Sequence, residues 1–264
     1  MHRRWMNEIV RFGLKSPVMG GNFTINVAEV AAARRATNPP TAWSAIFIKA
    51  IALAGRDWPE LRTAYLPYPW PRLYLAPTST AAVILERQWK GAHAVFIDFV
   101  HRPETRPLPL IDYILRDFRR MRIERIGAYR RLIRLARLPW FLRRPLMSLA
   151  LHWSGRLRAK YCGSFSVQSF ATRRGSVMQS TTPLTFSFIH APVRPNGDVD
   201  LQLLMDHRVI DGMQAARIVH AVEAVMKGEI LAELRALAAE PPAQAERATL
   251  RPGGGTSGSS PIAR

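Results

Sequence analysis

The sequence predicts an α+β domain, a mixed and mainly antiparallel sheet with flanking helices, and three observations point there. Short β-rich runs recur at 22–28, 72–76, 81–86, 94–100, 164–169, 184–189 and 200–205. Helical stretches interrupt them without the regular strand–helix alternation of a doubly wound nucleotide-binding sheet. The last two runs are joined by Pro195-Asn196-Gly197-Asp198, a turn sequence suited to a hairpin.

Taken in order, Asn22-Phe23-Thr24-Ile25-Asn26-Val27-Ala28 alternates apolar and polar residues as a half-buried strand does, and Gly20-Gly21 before it reads as a turn. Pro39-Pro40 and a candidate cap at Thr41 then introduce an almost continuously apolar helix to Ala54, which should be largely buried. Arg72–Ala76, Ala81–Glu86 and Ala94–Val100 are expected to be neighbouring strands of one sheet. From Leu108 to Arg158 the pattern turns helical, with Ile111, Leu115, Phe118, Arg122 and Ile126 drifting along one face. Pro139 and Pro145 should break that stretch. A final helix, Asp211–Met226, carries an apolar stripe of Ala215, Ile218, Val219, Val222 and Met226.

A chain of 264 residues with 48% hydrophobic content can bury one substantial core. Its 20 prolines and 16 glycines are spread out, so no internal linker announces a boundary. The expected organisation is one domain over 1–240, with a basic helical insertion at about 105–160. Residues 241–264 hold few large apolar side chains and are expected to form a disordered tail. The single cysteine, Cys162, excludes an internal disulfide and fits a reducing cytoplasm. No run approaches the roughly 20 apolar residues of a membrane span, and MHRRWMNEIVRF lacks the apolar block of a signal peptide. A cytoplasmic chain, free or peripheral on the membrane, is the expectation.

The formal charge of +19 is concentrated, since residues 101–160 hold 16 Arg or Lys against 4 Asp or Glu. Charge alone does not choose among anionic lipid, nucleic acid, an acidic protein and a phosphorylated ligand. Within that stretch, residues 130–144 interleave arginines with Leu, Ile, Trp and Phe. Three readings stay open: a helix packed on its own domain, a helix lying on an anionic membrane surface, and nucleic-acid binding. The last is the least favoured, because no nucleic-acid-binding fold accompanies the charge.

The chemistry concentrates at Asp206-His207-Arg208-Val209-Ile210-Asp211-Gly212. Leu201, Leu203 and Met205 lead into it as a strand and a helix follows it, so His207 sits at a strand end. An imidazole titrating near neutrality there suits removal of a proton from a thiol or hydroxyl. Asp211 can bind an arginine or cap the helix, or do both. His2, His93, His101, His152, His190 and His220 show no metal-ligand spacing, so no metal site is expected. Cys162 reads as a small buried hydrophobe rather than a nucleophile.

The run DHRVIDG followed by an alanine-rich helix resembles the signature of the catalytic domain of dihydrolipoamide acyltransferases, the core subunits of 2-oxoacid dehydrogenase complexes, and of their relative chloramphenicol acetyltransferase. The resemblance extends to a basic helix and strand like Arg3–Ser16 and Phe23–Val27, a helix like Trp43–Ala54 followed by Pro59-Glu60-Leu61, and a strand like Gly163–Val167. It covers roughly residues 3–100 and 160–230 and leaves the basic helical stretch out.

What it implies is a chloramphenicol-acetyltransferase-like fold and transfer of an acyl group between a coenzyme A thioester and another acceptor, with coenzyme A as substrate. His207 is implied as general base and Asp211 as partner of a site arginine. That arginine matches Arg11, with Arg3, Arg4 and Asn7 nearby, and Gly212 completes the motif. The family's oxyanion-binding serine or threonine falls on Gln168, with Ser169 beside it as the other candidate. Members are trimers with the site between subunits, so a homotrimer is implied. The chain is expected to begin at the catalytic domain and to carry no covalent lipoyl group of its own, which leaves acyl-CoA and an unknown acceptor as partners. A non-catalytic trimeric scaffold, or a membrane-surface protein of the same fold, is the competing expectation.

Overall fold

The computed structural model describes residues 10–11, 14, 16–89, 92–169 and 184–239. Most of the expected early helix Arg3–Ser16, with Arg3, Arg4 and Asn7, lies outside the described residues, as does the expected tail.

Strand β1 (Val18–Asn26) leads into helices α1 (Ala28–Ala36) and α2 (Trp43–Ala54), a 3₁₀ turn at Pro59–Arg62, and strands β2 (Thr63–Leu66), β3 (Arg72–Leu75), β4 (Thr80–Trp89) and β5 (Ala92–His101). Helices α3 (Leu108–Arg120), α4 (Gly127–Arg137), α5 (Trp140–Ser148) and α6 (Gly155–Cys162) follow. The chain returns through β6 (Phe165–Ser169), β7 (Phe186–His190) and β8 (Asp198–Asp206) to α7 (Gly212–Val225), a π turn and α8 (Leu231–Ala239). The main sheet has six strands in the order β1-β8-β7-β6-β4-β5. β6 lies parallel to both its neighbours, and the other pairs are antiparallel, as a mixed, mainly antiparallel sheet requires.

Alternation along the strands divides the side chains between two faces. Val83, Phe165, Val167, Phe186, Phe188, Leu203 and Met205 point to one face and join the principal core with α2, α7 and α8. Helix α2 is its centre. Every residue from Ala45 to Ala54 is buried, which is why it reads apolar nearly all round. Its one charge, Lys49, meets Glu233 of α8 at 2.5 Å, and the other oxygen of Glu233 accepts the Leu108 N–H at the start of α3 at 2.7 Å. Phe96, the partner of Leu85 on the edge strand β5, packs with Ile123, Ile126 and Tyr129, and on the opposite face Met147 packs with Leu151 beneath helices α4 to α6.

Several boundaries differ from the expectations, each for a local reason. Gly20 and Gly21 do not turn but lie inside β1, opposite Leu204 and Leu203, and a Cβ on Gly21 would press into the Phe23 ring at 2.8 Å. Thr41 does not cap α2. The cap position is Ala42, whose N–H is taken from afar by the Asp112 carboxylate at 3.1 Å. Arg72–Leu75 leaves the main sheet and pairs with Thr63–Leu66 as a separate hairpin, whereas β4 and β5 do pair along their whole length. Pro139 stands at the N-cap of α5, but Pro145 sits inside that helix without ending it. The turn before β8 forms as expected, with Gly197 at φ 89° donating its N–H to Arg194 and Arg194 donating to Asp198.

Candidate active site

β8 ends at Asp206 and α7 begins at Gly212, so His207 lies on a tight five-residue loop at the sheet's edge of termini. The loop is held by backbone first. Asp206 donates to the Thr185 carbonyl at 2.8 Å and His207 to that of Pro17 at 3.0 Å, while Val209 and Ile210 both donate to the Asp206 carbonyl.

Side chains then lock it. The Asp206 carboxylate, 0% exposed, accepts from the Arg208 backbone N–H at 3.1 Å and from its Nε and Nη2 at 2.8 and 2.6 Å. Arg208 Nη2 also donates to Ser16 Oγ at 3.1 Å, and its guanidinium lies 4.1 Å from the centre of the Tyr65 ring. Arg158 of α6 is buried close by, donating to the Tyr65 carbonyl at 2.8 Å and interacting electrostatically with Asp206 and Arg208. Burial holds the Arg158 pKa below its ordinary value, with Asp206 among the groups opposing that shift.

His207 itself is exposed, and its Nδ1 lies 3.3 Å from the Ile210 carbonyl oxygen. A carbonyl can only accept, so Nδ1 carries the hydrogen in that contact and, in the neutral ring, the lone pair is on Nε2. This is the tautomer a general base needs.

Asp211 is the N-cap of α7. Its carboxylate accepts the Gln214 N–H at 2.8 Å and Gln214 Oε1 accepts the Asp211 N–H at 3.1 Å, a capping box. Gln214 Nε2 reaches Glu60 in the 3₁₀ turn at 3.4 Å. Arg11 is exposed, and among the described residues no ion pair joins it to Asp211; the arginine fastened to this loop is Arg208. Gly212 is exposed with open space around it, a Cβ there meeting only the Met19 tip at 3.8 Å.

Gln168 and Ser169 sit at the far end of β6, paired with Ile189 and His190. His207 follows a strand end paired near Thr185, so five residues of strand and two strand spacings separate it from them, roughly 20 Å. One chain therefore does not bring these groups together. His190, one of the histidines without metal-ligand spacing, is buried against Phe47 with ring centres 4.6 Å apart, and burial pushes its pKa down to about 4. Cys162 faces protein, and burial raises its thiol to about 11, well above reactive range.

The Asp206–Arg208 pair, Tyr65, Ser16 and Arg158 escaped sequence reasoning. The motif itself printed the first two, but nothing in it says that an aspartate and an arginine flanking a histidine fold back on each other.

No protein-family model matches the chain, and no curated protein does. Solved structures do. The dihydrolipoamide acetyltransferase of Azotobacter vinelandii, studied for the catalytic roles of a serine, a histidine and an asparagine, aligns with a TM-score of 0.66 and 15% identity over 89% of this chain and 92% of that one. A probable dihydrolipoamide acetyltransferase from Listeria monocytogenes aligns with a TM-score of 0.62 and 15% identity, covering 85% and 91%. A chloramphenicol acetyltransferase aligns at 0.50 and 14%, covering 83% and 94%. The chain has the fold these acyltransferases share.

Proposed function

We propose that this chain is an acyltransferase that moves an acyl group from a coenzyme A thioester to a small-molecule or carrier acceptor, with His207 as general base. The observation that carries the reading is the Nδ1–H to Ile210 carbonyl contact, which leaves an exposed Nε2 ready to take a proton. In the forward step Nε2 removes the proton from the acceptor's hydroxyl or thiol as its oxygen or sulfur attacks the thioester carbonyl carbon. The tetrahedral oxyanion collapses, the carbon–sulfur bond breaks, and the departing thiolate takes the proton back from His207 as free coenzyme A.

The oxyanion needs a donor, and within one chain Gln168 and Ser169 are too distant. A homotrimer with the site between copies supplies one, Gln168 or Ser169 of a neighbour facing His207. The neighbouring fold that forms the cubic core of a pyruvate dehydrogenase complex supports assembly of such copies. Asp206 and Arg208 position the loop, and Asp211 starts the helix behind it. No helix among the described residues is long and apolar enough to cross a membrane.

Thiol release from a panel of acyl-CoAs, with and without candidate acceptors, tests the reading. Wild type is expected to release thiol and His207→Ala to lose turnover by about 10²–10⁴-fold while keeping its fold. Equal turnover in the two proteins refutes the base.

A second reading has its own observation. Trp140 and Phe141 of α5 are 61% and 58% exposed, with Arg144 5.1 Å from the Trp140 ring, an arrangement suited to an anionic membrane surface. It describes a non-catalytic, membrane-surface scaffold of the same fold. Flotation with anionic vesicles that salt abolishes, together with no thiol release, would favour it.

A further inference from the structure

A cavity of about 560 Å³ lies between the outer face of β4 and β5 and the helices α4 to α6. That volume is in the range of about 300–1,000 Å³ typical of small-molecule sites. The sheet contributes its floor, Ala82 opposite Phe99 and Ile84 opposite Ile97, the positions that alternate away from the principal core. Leu135, Met147 and Leu151 from the helices form the roof, and Met147 and Leu151 are buried. The lining is aliphatic or aromatic almost throughout. Among the described residues that line it there is no carboxylate, and the charged ones are Arg131 and Arg134.

Those two arginines are exposed, three residues apart on α4, and Arg131 lies 5.9 Å from the ring of Tyr161, another exposed residue of the lining. The cavity thus has a deep apolar interior and a cationic mouth. The end marked by Leu184 and Cys162 reaches the residue before Thr185, whose carbonyl accepts the Asp206 N–H beside His207.

We propose that the cavity seats the hydrocarbon chain of an anionic amphiphile, a long-chain fatty acid or its thioester, with Arg131 and Arg134 pairing its acidic end. Resting on the acyltransferase reading, this names the substrate class as long-chain acyl. Each part of the ligand is dictated by a part of the wall. A polar body would lose its hydrogen bonds against Ile84, Ile97 and Leu151, and a cationic end would meet two guanidiniums. A membrane surface reaches the exposed helices but not the sheet floor beneath them, so a detachable single chain is the occupant.

The test uses the full-length protein with palmitate, palmitoyl-CoA, and vesicles of phosphatidylcholine with phosphatidylglycerol. Cys162, the single cysteine, lines the cavity and reports occupancy through its rate of modification by N-ethylmaleimide at alkaline pH. Palmitate or palmitoyl-CoA is expected to bind in calorimetry and to slow that modification; protection by both marks the chain as the shared determinant, and by one alone selects the free acid or the thioester. The double variant Arg131→Glu with Arg134→Glu should weaken palmitate binding about tenfold or more. Ala150→Trp, which puts an indole into the cavity, should weaken it likewise; if that variant does not fold, protection of Cys162 in the wild type still decides. Failure of both ligands to bind, binding without protection of Cys162, or binding to vesicles only overturns the proposal. His207→Ala is expected to bind palmitate as wild type does, so loss of the chain site and loss of the base are read separately.

Discussion

Asp206 and Arg208, on either side of His207, close a two-pronged ion pair with the carboxylate wholly buried and the guanidinium laid against Tyr65. The exposed histidine is thereby mounted on a clamp made from its own immediate neighbours. Removing one jaw leaves the other charge stranded, which is costlier than the pair is stabilising.

Arg208→Ala should therefore destabilise the protein by about 2–3 kcal/mol, below the full cost of breaking a buried pair because Arg208 is partly exposed. Arg208→Lys retains charge but not the fork, and should lower turnover more than it lowers the unfolding midpoint. Denaturant melts beside thiol-release rates check this; a variant losing only stability would reduce the clamp to a structural tie.

Asp211 separates two roles by substitution. As a helix cap it is replaced well by asparagine, so Asp211→Asn should be nearly neutral in stability, while Asp211→Ala costs about 1 kcal/mol. A large stability loss in Asp211→Asn would show that its charge, and hence an arginine partner, matters.

His190 makes stability pH-dependent. Its pKa is depressed to about 4 in the fold against 6.5 in an unfolded chain, so the unfolded state binds more protons between those values. Its contribution of about 3 kcal/mol is complete above about pH 6.5 and fades as pH falls toward 4. Urea unfolding of the wild type across this window should show the decline, and His190→Phe, beside Phe47, should flatten it.

Much of this architecture was legible because burial and period agree. Helix α2 announced itself by ten buried residues in succession, and α7 by its stripe. Gly20-Gly21 misled because glycine marks a turn or a strand under close contact alike, and only the distant partner β8 decides which. Helix α1, AEVAAARRA, buries only Val30 and Ala31 and so printed too faint a stripe to find. At the site, His207 was visible in the motif. The pairing of Arg208 was not, since it depends on Ser16 and Tyr65 arriving from far along the chain.

Glu233 ties three helices at once, and its loss should show it. Glu233→Ala strands Lys49, 8% exposed, and the Leu108 N–H, and should cost about 2–4 kcal/mol. Combining it with Lys49→Met should recover most of that. Recovery absent from the double-mutant cycle would mean the two groups are energetically independent.

The pairing of Val18 with Asp206 also sets an order of events during synthesis. Of the described strands β1 leaves the ribosome first, and β8, which covers its edge, leaves last. Until then the nascent chain carries an unmatched ribbon edge with Phe23 and Ile25 on it, and the loop of His207 has no Pro17 carbonyl to rest on until the same late meeting. Completion of the His207 loop and completion of the sheet are one step, and a chain stopped short of β8 would lack the loop and be prone to aggregate.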